Sequence, residues 1–138
     1  MDTCIDAMMG EWMANEIGGK GTVLNVEGIP GASASDSQNT GIEMAMADHP
    51  KIKFKGPIAG LCTDQVAQAE VQRWLATNPG KLDGIIIQSA SELGALRALK
   101  QSGRKMIPIT IGSEMGALCY WRNNPDYLSA AIHAWPPG

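Results

Sequence analysis

Residues 82–103, LDGIIIQSASELGALRALKQSG, constrain the fold more than any other part of the chain. Ile85, Ile86 and Ile87 form a run of β-branched apolar residues too short for a helix. Such a run reads as a strand buried on both faces, the kind found in parallel sheets. Gln88 and Ser89 follow where the strand runs out, and Ser91 stands where it can cap a helix. Leu93, Leu96 and Leu99, with Ala95 and Ala98, mark an apolar face at helical spacing. Gly103 closes that helix, and residues 107–111 open another buried strand. The stretch is a βαβ unit, with its polar residues where strand hands over to helix. That is where open α/β sheets bind ligands.

The rest of the chain repeats the unit. Residues 4–17 predict a helix whose apolar share includes Met8, Met9, Trp12 and Met13, with the methionines as core filler. Residues 22–26, TVLNV, predict the first strand, and GIPGASAS over 28–35 a small-residue loop. Ser35 or Asp36 can cap a helix running to about residue 48, which His49-Pro50 ends. A weaker, more charged strand follows over 52–58, then a loop over 59–62 and a helix capped by Thr63 or Asp64. After the central unit come a loop at 112–114, a helix containing Met115, Leu118, Cys119 and Trp121, a turn at 123–126 and a last strand over 127–133. Five strands alternating with five helices imply a three-layer α/β/α domain with a mostly parallel sheet of five to six strands. Flavodoxin-like order is expected, with the residue-22 strand central and the residue-52 strand at the edge.

At 138 residues the chain is long enough for one domain with a real core, not two. A net charge of −3 gives no reason to expect nucleic acid or an acidic membrane as partner. The basic clusters are short: Lys51, Lys53 and Lys55 alternate along the solvated side of an edge, and Arg104-Lys105 is isolated. No apolar run approaches the roughly 18 residues of a membrane span, so direct insertion is not expected. Met1-Asp2 opens into a helical pattern with no leader, and the chain stops at Trp135-Pro136-Pro137-Gly138; both ends read as cuts. Cys4, Cys62 and Cys119 lie far apart with no CxxC, which argues against a zinc site and for small buried hydrophobes.

The carboxyl ends of the strands should converge on one rim, bringing together 28–35, 59–63, 88–91, 112–114 and 133–135. Nearly all the groups there are neutral hydrogen-bonding ones, which suits a neutral polar ligand better than a phosphate, a metal or a cofactor. GIPGASAS lacks the GxxxxGK[ST] pattern, and Asp36 at the helix start would repel an anion, so the loop reads as a tight strand-to-helix turn. His49 is expected to be exposed; His133 could face the rim, yet no GxSxG elbow exists. Trp135 could stack on a sugar ring or could be structural. Glu114 reads equally as a ligand-binding carboxylate or as a first-turn residue favoured by the helix dipole. Paired carboxylates at defined spacing are absent, and no catalytic residue is assigned.

GKGTVLNVEGIPGASA, NPGKLDGI and ELGALRAL resemble the C-terminal lobe of type I periplasmic solute-binding proteins, more narrowly the ribose-binding-like sugar group of ABC transporters. The resemblance covers nearly the whole chain. It implies one isolated lobe, residues 1–138, of a two-lobed clamp that closes on its ligand, without the N-terminal lobe and the final crossover. It also implies a periplasmic or extracytoplasmic place and an ABC permease as partner. Carried over residue by residue, the family's sugar contacts fall on Gln38, near Cys62, on Gln88 and Ser89, near Glu114, and on Ala134 beside Trp135. Several are smaller or more neutral than the family's usual groups, which is consistent with a solute other than a simple pentose or hexose.

Three readings follow. The first is a non-enzymatic, sugar-type solute-binding component of an ABC importer. The alternative is the effector-binding domain of a lactose-repressor-type regulator, which shares the fold and would carry a helix-turn-helix upstream. The third is a small flavodoxin-like enzyme, which would need a complete site within these residues. An isolated lobe should bind sugar too weakly to detect. It should also dimerise through apolar surface around Trp135 and residues 1–13.

Overall fold

The structure, a computed structural model, describes residues 3–88, 91–111, 115–124 and 129–131. Its elements are α1 (Thr3–Glu16), β1 (Gly21–Glu27), α2 (Ser33–Ala47), β2 (Ile52–Ala59), α3 (Asp64–Thr77), β3 (Gly84–Ile87), α4 (Glu92–Ser102), β4 (Ile109–Ile111), α5 (Met115–Asn123) and β5 (Ser129–Ala131). The five strands form one parallel sheet in the order β2-β1-β3-β4-β5. This is the expected flavodoxin-like order with β2 at an edge, but the middle strand is β3, and β1, expected to be central, lies one place inside the edge.

The two faces of β1 and β3 bury different clusters. Leu24, Val26, Ile85 and Ile87 pack with Val71 and Leu75 of α3 and with Ala95, Leu96 and Leu99 of α4. Val23 and Ile86 pack on the other side with Met13, Ile42 and Met46 from α1 and α2. β3 is therefore apolar on both faces, as the Ile85-Ile86-Ile87 run requires. Met9 and Met13 are core residues as expected, whereas Met8 is exposed.

A bulge in β2 lets one strand serve both clusters. Leu24 lies opposite Lys55 but Val26 lies opposite Ile58, so β2 carries one extra residue there. That residue inverts the side-chain alternation. Ile52 and Phe54 accordingly join the α1/α2 cluster, while Ile58 joins the α3/α4 cluster. Gly56 makes the bulge possible: its φ is +100°, and a Cβ there would stand 2.6 Å from the Asn25 carbonyl oxygen.

The structure differs from the sequence reading at several further points. α2 starts at Ser33 with Ala32 as N-cap, so Ser35 and Asp36 lie inside its first turn. The cause is Pro30-Gly31, which turns the chain early: Gly31 has φ +79° and Ala32 N–H donates to the Ile29 carbonyl at 3.1 Å. β4 begins at Ile109, not residue 107, because Pro108 has no N–H to offer a ladder. Cys62 and Cys119 are exposed, not buried. His49 is half-buried, its Nε2 3.0 Å from Glu11 Oε2, and ties the end of α2 to α1. The expected strand residues 127, 128, 132 and 133 lie outside the described residues.

Candidate functional site

In this strand order the chain leaves β1 toward β2 and returns past β1 to β3. The crevice at the carboxyl ends of β1 and β3 is thus the switch point where such sheets take ligands. Four loops or helix starts meet there. Gly28 follows β1, and its backbone N–H donates to Gln88 Oε1 at 2.9 Å, joining the two strand ends. A Cβ on Gly28 would lie 3.0 Å from Cys62 Sγ, 3.1 Å from Ser35 Oγ and 3.4 Å from Gln88 Oε1. Glycine is present at 28 because three side chains converge on it.

The loop after β2 is held in a rare conformation. Leu61 and Cys62 both have φ +53°, a region that costs non-glycine residues of order 1 kcal/mol each. Gly60 N–H donates to the Glu27 carbonyl at 2.9 Å and Leu61 N–H to the Gly28 carbonyl at 3.1 Å, which pin the loop to the end of β1. Thr63 then caps α3, its Oγ1 accepting from Val66 N–H at 3.3 Å. The outcome is an exposed Cys62 thiol and an exposed Leu61 on the rim.

Beneath the rim lies a buried polar network. Asn25 and Glu27 share the face of β1 that looks toward α2, and Asn39 of α2 meets both. Asn39 Oδ1 accepts from Asn25 Nδ2 at 2.8 Å and from Gln88 Nε2 at 3.1 Å. Asn39 Nδ2 donates to Glu27 Oε2 at 2.8 Å. Asn25, Glu27 and Gln88 are all buried.

The helix starts at the rim carry their own negative charge. Asp36, Asp64 and Glu92 stand in the first turns of α2, α3 and α4. Asp64 Oδ1 accepts from Gly94 N–H at 2.9 Å, and Glu92 Oε2 accepts from Ser91 N–H at 3.0 Å. The Ser91 hydroxyl, expected to cap α4, donates instead to the Gln88 carbonyl at 3.3 Å. The positive ends of these helices are thereby taken up by the chain's own carboxylates.

Two cavities, of about 510 and 460 Å³, lie at the opposite, amino end of the strands, around Pro79–Asp83. Several of their polar groups are engaged within the fold. Lys81 Nζ lies 3.1 Å from Asp83 Oδ1, and Asp83 Oδ2 accepts from Thr22 N–H at 2.9 Å. Arg104 donates to the Leu75, Asn78 and Gly80 carbonyls. This corner is structural, and the rim remains the candidate site.

Of the residues expected in the site, Gln38 is half-buried on α2, and its side chain makes no hydrogen bond among the described residues. Cys62 is exposed beside Gly28. Gln88 is at the rim but only 3% exposed, with its amide tied to Gly28 and Asn39. Ser89, Glu114 and Trp135, with His133, lie outside the described residues. Sequence reasoning missed Asn25, Glu27 and Asn39; Ser35 it placed on the rim only as a loop end or helix cap. The signal was there: asparagine and glutamate alternate with valine in the buried TVLNVE strand, and residues 35, 39, 42 and 46 form one helical stripe.

Among the described residues no group of histidine, cysteine, aspartate and glutamate has the arrangement to hold a metal ion. No described helix is long and apolar enough to cross a membrane.

A xylitol-binding protein of Mycolicibacterium smegmatis is 30% identical over 109 residues, covering 78% of this chain and 31% of that protein. The ribose import binding protein of Haemophilus influenzae is 29% identical over 101 residues, 72% of this chain and 34% of its own length. The chain thus spans about a third of the curated relatives it matches. Among solved structures, an ABC transporter solute-binding protein from Actinobacillus succinogenes with bound D-allose superposes with a TM-score of 0.81 at 21% identity. The match covers 91% of this chain and 44% of that one. One from Agrobacterium vitis bound with α-D-tagatopyranose superposes at 0.76 with 25% identity, over 85% and 40% of the two chains. The model of the periplasmic binding protein domain matches residues 7–125, and the chain belongs to that family.

Proposed function

We propose that this chain is one lobe of the solute-binding component of an ABC import system, and that its rim forms one wall of a cleft for a sugar or sugar-like neutral solute. The observation that carries the reading is the set of carboxylates Asp36, Asp64 and Glu92 at the starts of α2, α3 and α4. Helix N-termini at a switch point usually attract phosphate or carboxylate groups. Here an anion would meet like charge at each of the three, while a polyhydroxy compound would meet amides, hydroxyls and a thiol. The xylitol-binding and ribose-import relatives support the same class of solute. They give the repressor reading no support, and they are binding proteins, which fits a role without catalysis.

The contacts we assign are Gln38, Cys62 and Gln88, with Ser89, Glu114 and Trp135 as the further candidates carried over from the family. The partners are the solute and a permease, and the place of action is extracytoplasmic. A single wall leaves the solute half solvated, so the lobe alone should give no detectable heat on titration. The test is calorimetry on the protein in which this lobe is joined to its partner lobe, with xylitol, ribose, allose and ribose 5-phosphate as probes. Binding of a neutral member with exclusion of the phosphate is expected. Tighter binding of the phosphate would overturn the reading, as would no binding across a wider panel of polyols and sugars.

A further inference from the structure

We infer that Asn39 is a positioning residue, which fixes the rim by holding Gln88 and Glu27 in place; that this serves solute binding rests on the reading just given. Gln88 is the one described side chain that bridges the ends of β1 and β3 at the switch point, through its bond from Gly28 N–H. Its amide can keep that orientation only if its nitrogen end is also held, and Asn39 Oδ1 holds it. The same oxygen takes the Asn25 N–H, and the Asn39 nitrogen reaches Glu27. One side chain of α2 therefore sets three groups on two strands.

The arrangement is not one that stability alone would select. Asn25 Oδ1 is buried and makes no hydrogen bond to another described protein atom. A network of paired polar side chains adds little to stability over apolar side chains of the same shape. Val23 and Ile42, beside it on the same face, show that an apolar core is what this layer otherwise builds. A polar network that adds little to stability, set directly under the rim, fits a site whose geometry is held for binding.

The test exploits the direction of the Asn39–Glu27 bond. N39D retains an acceptor for Asn25 and Gln88 but sets a carboxylate against that of Glu27. N39D/E27Q rebuilds the bond with donor and acceptor exchanged and the total charge kept. Amide hydrogen exchange on this chain reads the local effect. In N39D the Gly28 N–H should exchange about tenfold faster, with the Asp83 and Ile85 N–H groups at the other end of the sheet unchanged. N39D/E27Q should return it toward wild type. N39A removes both ends of the amide and should act in the same direction, which covers a failure of N39D to fold. In the two-lobed protein, N39D should weaken solute binding about tenfold and the double variant should restore it. Unchanged Gly28 exchange in N39D and N39A overturns the inference. So does a loss of protection shared equally by Asp83 and Ile85, which would make Asn39 a general stability residue. A wild-type protein that binds no solute overturns the solute reading and leaves the positioning to the exchange rates, which decide it alone.

Discussion

Thr110 Oγ1 accepts a hydrogen bond from the Ile87 backbone N–H at 2.9 Å and donates one to the Ile87 carbonyl at 3.3 Å. β3 and β4 have only Ile85 and Ile109 as a ladder pair, so this hydroxyl completes the seam where the main chain does not. Thr110 is fully buried. Replacing it with valine keeps the shape and leaves the Ile87 N–H without an acceptor, which should cost about 1–3 kcal/mol. T110S keeps the hydroxyl and should lose less. Urea unfolding of the two variants checks this; a T110V midpoint equal to wild type would show that the seam does not depend on the hydroxyl.

Gly94 is a point of close approach between α3 and α4. A Cβ on it would overlap the Asp64 carbonyl oxygen, a backbone atom that cannot rotate away, and its N–H is already held by Asp64 Oδ1 at 2.9 Å. G94A should therefore push the helices apart and destabilise by about 1–3 kcal/mol, although alanine favours a helix more than glycine does. The contrast with Gly80, whose Cβ would meet nothing within 4 Å, supplies a control. G80A should leave the melting temperature near wild type.

Elements with one strong local signal were legible in the sequence. Ile85-Ile86-Ile87 could only be a strand buried on both faces, and Gly103 ends α4 in the left-handed conformation (φ +71°) that its position suggested. What stayed hidden depends on pairs of residues far apart in sequence. Ser91 looked like a cap, but its hydroxyl turns back to Gln88 because Asp64 and Glu92 already serve the first turn of α4. Gln88 looked like an open rim group, but its burial is set by Gly28 and by Asn39, which lie 60 and 49 residues away. Cys62 looked like a small core residue; a left-handed backbone at 61 and 62, fixed by bonds to residues 27 and 28, turns it outward. Local patterns thus located the rim, and only tertiary contacts could say which of its side chains are free.

Arg104 was read from sequence as part of a short basic cluster, yet its guanidinium ends α3. It donates to the Leu75 carbonyl at 2.9 Å, to Asn78 at 2.7 Å and to Gly80 at 3.0 Å, meeting carbonyls that the helix end and the following turn leave open. A lysine carries the charge but not the planar fork that reaches three oxygens at once. R104K should therefore lower stability by about 1 kcal/mol and R104A by about 2 kcal/mol. Thermal unfolding at low and high salt separates the contributions. A purely electrostatic role would give R104K the wild-type stability, and a loss that persists at high salt would support the hydrogen-bonded one.

The exposed thiol of Cys62 offers a direct reading of where the solute sits. Cys62 Sγ lies beside Gly28, between the loops that follow β1 and β2, and no other described side chain marks that point with comparable reactivity. A C4S/C119S background leaves Cys62 as the single thiol of this chain. Its alkylation by iodoacetamide should then be fast in the free two-lobed protein. Solute at ten times its dissociation constant should slow it by about tenfold, since only the unoccupied fraction reacts. On the proposed two-lobed reading, the chain alone should show no protection by the same solute. G28A supplies the structural control: a methyl group 3.0 Å from the sulfur should displace the thiol and change its rate without solute present. Full protection in the two-lobed protein would place Cys62 against the solute. An unchanged rate at saturation, measured calorimetrically on the same sample, would remove it from the contacts and leave Gln38 and Gln88 as the described residues assigned to this wall.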